Sequence, residues 1–218
     1  MKKRELLQLI EEGENLYTEF KRQFSSHEKI AKELLAFANT KGGAILIGVD
    51  DDKSIYGVAS EKGEAELIKE TAEKFCLPPI EFSLSYFSVD HKEIVVVEVP
   101  ESLQKPHRLQ DYKSELETSS AEVYVRVNDK SVLASKEMIR VLRATSGNTK
   151  LTKYAVGNFE KAVFSFLEKE ETITVKQLSE MLNISERRAS RTLVKMVRAQ
   201  LLFIHTKENG EDYFTSAV

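Results

Sequence analysis

The chain has 218 residues, of which 41% are hydrophobic and 31% are charged, a composition that fits a globular protein of two modest domains. Its net charge of −3 excludes a surface coated evenly in cations, although a local basic patch for nucleic acid is compatible with it. The single cysteine, Cys76, cannot form an internal disulfide, and no apolar run is long enough to span a membrane, so we expect a cytoplasmic protein without redox chemistry.

The first two thirds of the chain predict a domain of mixed helices and strands. Apolar residues at helical spacing, such as Leu6 and Ile10, indicate helices, and the apolar run from Ala44 to Val49 is typical of a strand covered on both faces. In chain order we predict a helix at 3–12, a strand at 19–21, a helix at 27–41, a strand at 44–49 and a helix at 61–75. These are followed by a hairpin of 80–89 with 93–99, a strand at 123–127 and a helix from 136 to about 144.

The last third predicts a smaller, mostly helical domain. Residues 146–157 are poor in apolar positions and rich in polar residues and glycine, which is typical of a connector. Beyond them the spacing predicts three helices and a hairpin, the arrangement of a winged helix-turn-helix. We therefore predict an α+β protein with a first domain at 1–145, a linker at 146–157 and a winged helix-turn-helix domain at 158–218.

The third predicted helix of this tail, 186–200, carries basic residues on one face. Residues three and four apart share a helix face, so the cations lie opposite Ala189, Leu193 and Val197. In a helix-turn-helix this helix enters the major groove of DNA, which makes its basic face a candidate for base and phosphate contacts. The candidate residues are Arg187, Arg188, Arg191, Lys195 and Arg198.

Two other interpretations of this basic face stay open. It is also what a solvated helix face looks like, and it would equally suit a dimer or protein interface. The predicted hairpin tip is acidic, with Glu208, Glu211 and Asp212, so we expect contact by the helix alone and not by the hairpin. Helix-turn-helix proteins usually bind two-fold symmetric DNA sites as dimers, so we expect a homodimer.

Several ordered segments of the mixed domain carry a resemblance to a known family. They are GENLYTEFK at 13–21, AFANTKGG at 36–43, IGVDDD at 47–52 with IYGV at 55–58, and KPHR at 105–108 with VYVRV at 123–127. Together they resemble the Schlafen AlbA-like domain family over roughly residues 1–145. The resemblance implies three functions: DNA-binding transcriptional regulators in bacteria, divergent ATP-binding (AAA) domains in an older description, and metal-dependent RNases acting on tRNA in animals. A winged helix is a common companion of this domain.

The nuclease function would depend on carboxylates that the resemblance carries onto Glu14, Glu19 and Asp51. Three hard oxygen donors meeting at one point would hold Mg²⁺ or Mn²⁺ and polarise a phosphodiester. Lys21, on the same strand face as Glu19, would steady the added phosphate charge. Residues 50–52 also look like an ordinary acidic turn, so whether the chain is an enzyme stays open.

Further basic residues of the mixed domain are candidates for a nucleic-acid backbone. Lys105, His107, Arg108 and Arg126 would line a groove that meets this backbone, and Lys21 is a further candidate for a phosphate contact. Strand alternation by itself also explains the pattern around Arg126. The ATP-binding alternative is weaker, because the chain contains no Walker loop to cradle phosphates.

Our leading hypothesis is a prokaryotic, homodimeric, DNA-binding transcriptional regulator in the cytoplasm. The first alternative is a divalent-metal-dependent endoribonuclease acting on tRNA or other RNA. An ATP-binding regulator and a protein-interaction adaptor are further alternatives. None of these hypotheses involves a membrane.

Overall fold

The structure, a computed structural model, describes residues 1–146 and 154–217. Contacts divide the chain into two compact units, Met1–Leu133 and Ala134–Val218. The predicted linker at 146–157 falls largely outside the described residues. Within the described part of the chain, no helix is both long and apolar enough to cross a membrane.

The first unit is built around a four-stranded sheet. Its elements are α1 (Lys3–Glu12), β1 (Thr18–Lys21), α2 (His27–Asn39), β2 (Gly43–Ile47), α3 (Glu61–Glu70) with a π-helical turn (Thr71–Phe75), β3 (Cys76–Leu77), β4 (Ser83–Val89), β5 (Lys92–Val99), β6 (Arg108–Leu109), β7 (Tyr124–Val127) and β8 (Lys130–Leu133). The sheet has the order β1-β2-β5-β4. β1 runs parallel to β2, and the other neighbours are antiparallel.

Apolar side chains of β2 pack on both faces of this sheet. Ile45 and Ile47 belong to the core that α2 covers, whereas Ala44 and Leu46 pack with Leu6 of α1 on the opposite face. Successive strand side chains point to opposite faces, so an uninterrupted apolar run is what a strand between two layers needs. The predicted central strand is therefore confirmed.

A tight turn between α2 and β2 brings β2 alongside β1. Gly42 has φ +75°, and a Cβ added there would lie 2.7 Å from the carbonyl oxygen of Val99, so the position suits glycine alone. The turn sets the register in which Thr18 pairs with Ala44 and Glu19 with Ile45. It thereby fixes where the polar side chains of β1 lie.

The second unit contains four helices and one antiparallel hairpin among its described residues. They are α4 (Lys136–Thr145), α5 (Asn158–Leu167), α6 (Val175–Leu182), α7 (Glu186–Arg198), β9 (Leu202–Thr206) and β10 (Asp212–Ser216). A bridge between Ile173 and Phe214 adds a third extended segment to the hairpin. The core around Phe214 includes Val163, Leu178 and Leu193, one from each of α5, α6 and α7.

The position of α4 differs from the sequence prediction, which placed this helix in a first domain ending at residue 145. In the structure it belongs to the second unit. The hydroxyl of Ser190 on α7 donates to Glu137 at 2.6 Å, and Arg140 donates to Ser190 at 2.8 Å. Ser190 is buried, and a buried hydroxyl needs hydrogen-bond partners, which α4 supplies. The apolar spacing of α4 in the sequence does not show which element the helix packs against, so the prediction could not include this contact.

Candidate nucleic-acid interface

Helix α7 begins after a short, well-defined turn. Asn183 ends α6 in the left-handed conformation, with φ 50°, and the side chain of Ser185 caps α7 by accepting a backbone N–H three residues on. Ala189, Leu193 and Met196 are fully buried in the core. The buried face holds α7 in one orientation and leaves the opposite face in solvent.

The exposed face of α7 is basic. Arg187, Arg191 and Lys195 are exposed and follow one another at intervals of four residues. Arg188 is also exposed, but its guanidinium carbon lies 4.6 Å from the ring centroid of Phe159 on α5, a cation–π contact that orients it. Three cations are therefore presented directly to solvent, and a fourth lies against α5.

Two further arginines extend this face from α4, and the sequence analysis missed them. Arg140 and Arg143 line a cavity together with Arg191, Lys195 and the half-buried Arg198. Their i, i+3 spacing on an amphipathic helix was the signal available in the sequence. It was overlooked because that helix was assigned to the first domain.

The hairpin tip is less acidic than the sequence suggested. Asp212 is half-buried and accepts hydrogen bonds from the hydroxyls of Ser135 and Thr206. Burial raises the pKa of its carboxyl, and these two hydroxyls offset part of that rise. Glu211, 3.8 Å from Lys207, is an exposed acid of the tip, whereas Asp212 fastens β10 to the start of α4.

Arg126 corrects the prediction of a nucleic-acid contact in the first unit. Its side chain is fully buried and donates to Glu19 at 2.8 Å, to Glu33 at 3.1 Å and to the carbonyl oxygen of Asn15 at 2.8 Å. The guanidinium carbon also lies 4.7 Å from the ring centroid of Phe37. Because the guanidinium makes these contacts inside the first unit, it is not accessible to a phosphate of a nucleic acid.

Lys105 and Arg108 are likewise internal. Lys105 is one-tenth exposed and donates to the carbonyl oxygen of Thr40 at 2.9 Å and to Glu101 at 2.6 Å. Arg108 is buried and donates to the carbonyl oxygen of Lys113 at 2.8 Å. Both side chains fasten loops of the first unit, so the predicted basic groove is not formed by them.

Lys21 and Glu19 belong to the same buried network as Arg126. The amino group of Lys21 donates to Glu19 and to the carbonyl oxygen of Phe20. Burial works to lower the pKa of Lys21, but the charge of Glu19 and its hydrogen bond raise it overall. Burial raises the pKa of Glu33, and the nearby charge of Glu19 adds to the rise.

The three carboxylates predicted to hold a metal lie near one another, since burial raises the pKa of Glu14 and the charges of Glu19 and Asp51 add to the rise, but each has its own contacts. Glu14 accepts the backbone N–H of Phe20 at 2.8 Å, Glu19 is paired with Lys21 and Arg126, and Asp51 is an exposed turn residue. Among the described residues, no group of three or more His, Cys, Asp or Glu is arranged to hold a metal ion. A metal site at these carboxylates, and with it the nuclease hypothesis, stays a prediction.

A comparison with known families agrees with the resemblance described above. The sequence profile of the Schlafen, AlbA_2 family matches residues 14–135, which is more than half of the chain. The chain belongs to this family. The match includes the whole four-stranded sheet of the first unit. AlbA_2 is a nucleic-acid-related domain, and membership of this family therefore connects the chain in general terms with DNA or RNA.

Two solved structures are similar to the chain at low sequence identity. One is the N-terminal domain of an ATP-dependent DNA helicase RecG-related protein from Nitrosomonas europaea, with 22% identity, coverage of 51% of this chain and 81% of that one, and a TM-score of 0.43. The other is the DIP2311 protein from Corynebacterium diphtheriae, with 14% identity, coverage of 93% of this chain and 34% of that one, and a TM-score of 0.47. The chain thus spans about a third of the length of DIP2311.

Proposed function

We propose that the chain binds double-stranded DNA through the basic face of α7, which serves as the recognition helix of a winged helix-turn-helix formed by α5, α6, α7 and the β9–β10 hairpin. The observation that carries the proposal is the separation of α7 into a buried apolar face and an exposed face with Arg187, Arg191 and Lys195. A helix held in this way can enter the major groove without losing its core contacts.

The charge pattern of α7 differs from that of α2, α3 and α6. Each of those three helices has a lysine that pairs with a glutamate four residues away, and the pairs are Lys32–Glu28, Lys62–Glu66 and Lys176–Glu180. On α7, Arg187, Arg191 and Lys195 are like-charge neighbours four apart, and each such pair costs about 0.2–0.5 kcal/mol. An anionic partner would offset this cost, and the DNA backbone is such a partner.

The proposed biological role is that of a transcriptional regulator acting as a homodimer. A single α7 reads only a few base pairs, and two-fold symmetric proteins place two such helices one helical turn of DNA apart. Glu211 at the hairpin tip disfavours minor-groove contact by the hairpin, so the helix face carries the binding.

The test is duplex binding by the Arg187→Gln/Arg191→Gln variant, measured by fluorescence anisotropy of a labelled mixed-sequence duplex over a range of salt concentrations. We expect weaker binding and a salt slope smaller by about two, because each lost phosphate contact removes about one unit. Arg188 is left intact because it packs on Phe159.

The matched control is Lys169→Gln/Lys176→Gln, which removes the same charge from exposed positions of the same unit outside α7. It should bind nearly as the wild type does. RNA duplexes should bind more weakly than DNA, because their deep, narrow major groove does not admit a helix. Equal losses in both double variants, or equal affinity for the two duplexes, would contradict docking by α7.

A further inference from the structure

The cavity between α4 and α7 is lined almost entirely by cations. It has a volume of about 420 Å³, and its cationic side chains are Arg140, Arg143, Arg191, Lys195 and Arg198. The remaining lining residues, Ala144 and Val194, are small and apolar, so the described lining contains no acidic side chain. Two helices of one unit thus direct five positive charges at one space.

Few of these charges are neutralised by the protein. Arg140 lies 3.2 Å from Glu137. Lys195 interacts with Glu160: burial raises the pKa of that carboxyl, but its hydrogen bonds and the charge of Lys195 lower it overall. Arg143, Arg191 and Arg198 form no ion pair with any described residue. The Nε of Arg198 is buried without a hydrogen-bond partner among them. A buried donor without a partner is costly, and a ligand oxygen would satisfy it.

The shape and chemistry of the cavity suit a phosphate group. Its volume lies within the range of small-ligand sites, about 300–1,000 Å³. Guanidinium groups present paired N–H donors that match two phosphate oxygens, which a spherical anion such as chloride does not use. Val194 and Ala144 provide a small apolar wall against which the carbon skeleton of a phosphate ester packs.

We propose that the cavity between α4 and α7 is a phosphate-binding site. The phosphate has two potential sources, a free phosphorylated small molecule or a backbone phosphate of bound DNA. Arg191 and Lys195 belong both to the cavity and to the exposed face of α7. A free phosphorylated ligand would therefore compete with DNA, whereas a backbone phosphate would extend the DNA contact onto α4.

The first experiment needs no DNA and so is independent of the proposed function. Inorganic pyrophosphate is titrated into the full chain by isothermal calorimetry at constant ionic strength, with sulfate and chloride as comparison anions. We expect Arg143→Gln, at an exposed residue of the cavity, to weaken pyrophosphate binding about tenfold, because it removes a charge-assisted hydrogen bond. Lys169→Gln, which removes one positive charge from an exposed position of the same unit outside the cavity, should change it less than about twofold.

The second experiment distinguishes the two sources. Displacement of a labelled duplex by pyrophosphate, beyond the effect of sulfate at equal ionic strength, identifies a free phosphorylated ligand. Loss of duplex affinity in Arg143→Gln with a salt slope smaller by about one identifies a backbone phosphate. The proposal is overturned if pyrophosphate does not bind and Arg143→Gln binds DNA as the wild type does, or if Lys169→Gln and Arg143→Gln weaken pyrophosphate binding equally. Pyrophosphate binding without duplex binding would overturn the proposed function alone.

Discussion

The guanidinium of Arg126 is enclosed by the carboxylates of Glu19 and Glu33 and by the backbone oxygens of Asn15 and Thr18, before and at the start of β1. In the Arg126→Met variant both carboxylates would lose this buried cation. We expect the first unit to lose about 3–5 kcal/mol of unfolding free energy, because an uncompensated buried charge is costly. Urea denaturation followed by circular dichroism measures the loss.

The control for Arg126→Met is Arg22→Met, in which the exposed ion pair with Asp50 at 3.8 Å is removed. This substitution should lower the unfolding free energy far less, because an exposed ion pair contributes little. Adding Glu33→Gln to Arg126→Met should recover part of the stability, because one unpaired carboxylate becomes neutral. If Arg126→Met is no more costly than Arg22→Met, the network does not support the interior as described.

His107 makes the stability of the first unit depend on pH. The ring is buried, with Nδ1 2.8 Å from the carbonyl oxygen of Pro78 and Nε2 2.7 Å from the hydroxyl of Ser102. Burial lowers its pKa from the ordinary value of 6.5, so below that value the unfolded chain binds a proton that the folded chain excludes. Unfolding free energy should therefore fall as pH decreases below about 6.5, by at most about 1.4 kcal/mol per pH unit.

Substitution of His107 identifies the source of this pH dependence. His107→Gln should be less stable than the wild type at neutral pH but should lose this part of the slope between about pH 7 and about pH 5. His91→Gln, at an exposed turn position, should keep the wild-type slope. Urea titrations across that pH range measure both, and an unchanged slope in His107→Gln would show that another group is responsible.

At the scale of single elements, Ser135 joins α4 to the hairpin. Its hydroxyl accepts the backbone N–H of Met138 at 2.9 Å, capping α4, and donates to Asp212 on β10. Ser135→Ala should cost about 2–3 kcal/mol, because it removes a cap and also leaves a half-buried carboxylate with one partner fewer. Ser185→Ala removes a cap without affecting a carboxylate, since among the described residues the Ser185 hydroxyl accepts the backbone N–H of Arg188, and it should cost about 1 kcal/mol. Thermal unfolding of the two variants compares them, and equal losses would contradict a contribution from Asp212.

The elements show which features local sequence patterns predict and which they do not. Strand β2, the β4–β5 hairpin and the apolar face of α7 were predicted because each depends on a periodicity that lies within a few residues. The burial of Arg126 was not predicted, since its partner Glu19 lies 107 residues away along the chain and a charged residue in isolation is expected at the surface. The cavity arginines of α4 were missed for the same reason, because only the fold brings them beside α7.

At the scale of the whole molecule, the predicted boundary at residue 145 and the division after Leu133 lead to different expectations for fragments of the second unit. A fragment of residues 134–218 keeps α4, whereas one of residues 146–218 lacks Glu137 and Arg140, the partners of the buried Ser190 on α7. The shorter fragment should therefore be less stable by about 1–3 kcal/mol.

Thermal unfolding of the two fragments measures this difference. In a domain of this size each kcal/mol corresponds to about 4–8 °C in melting temperature. Lys136→Gln in the longer fragment is the control, since Lys136 is an exposed residue of α4 and its loss should leave the melting temperature nearly unchanged. Equal melting temperatures for the two fragments would favour the boundary at 145, because α4 would then contribute nothing to the fold of the second unit.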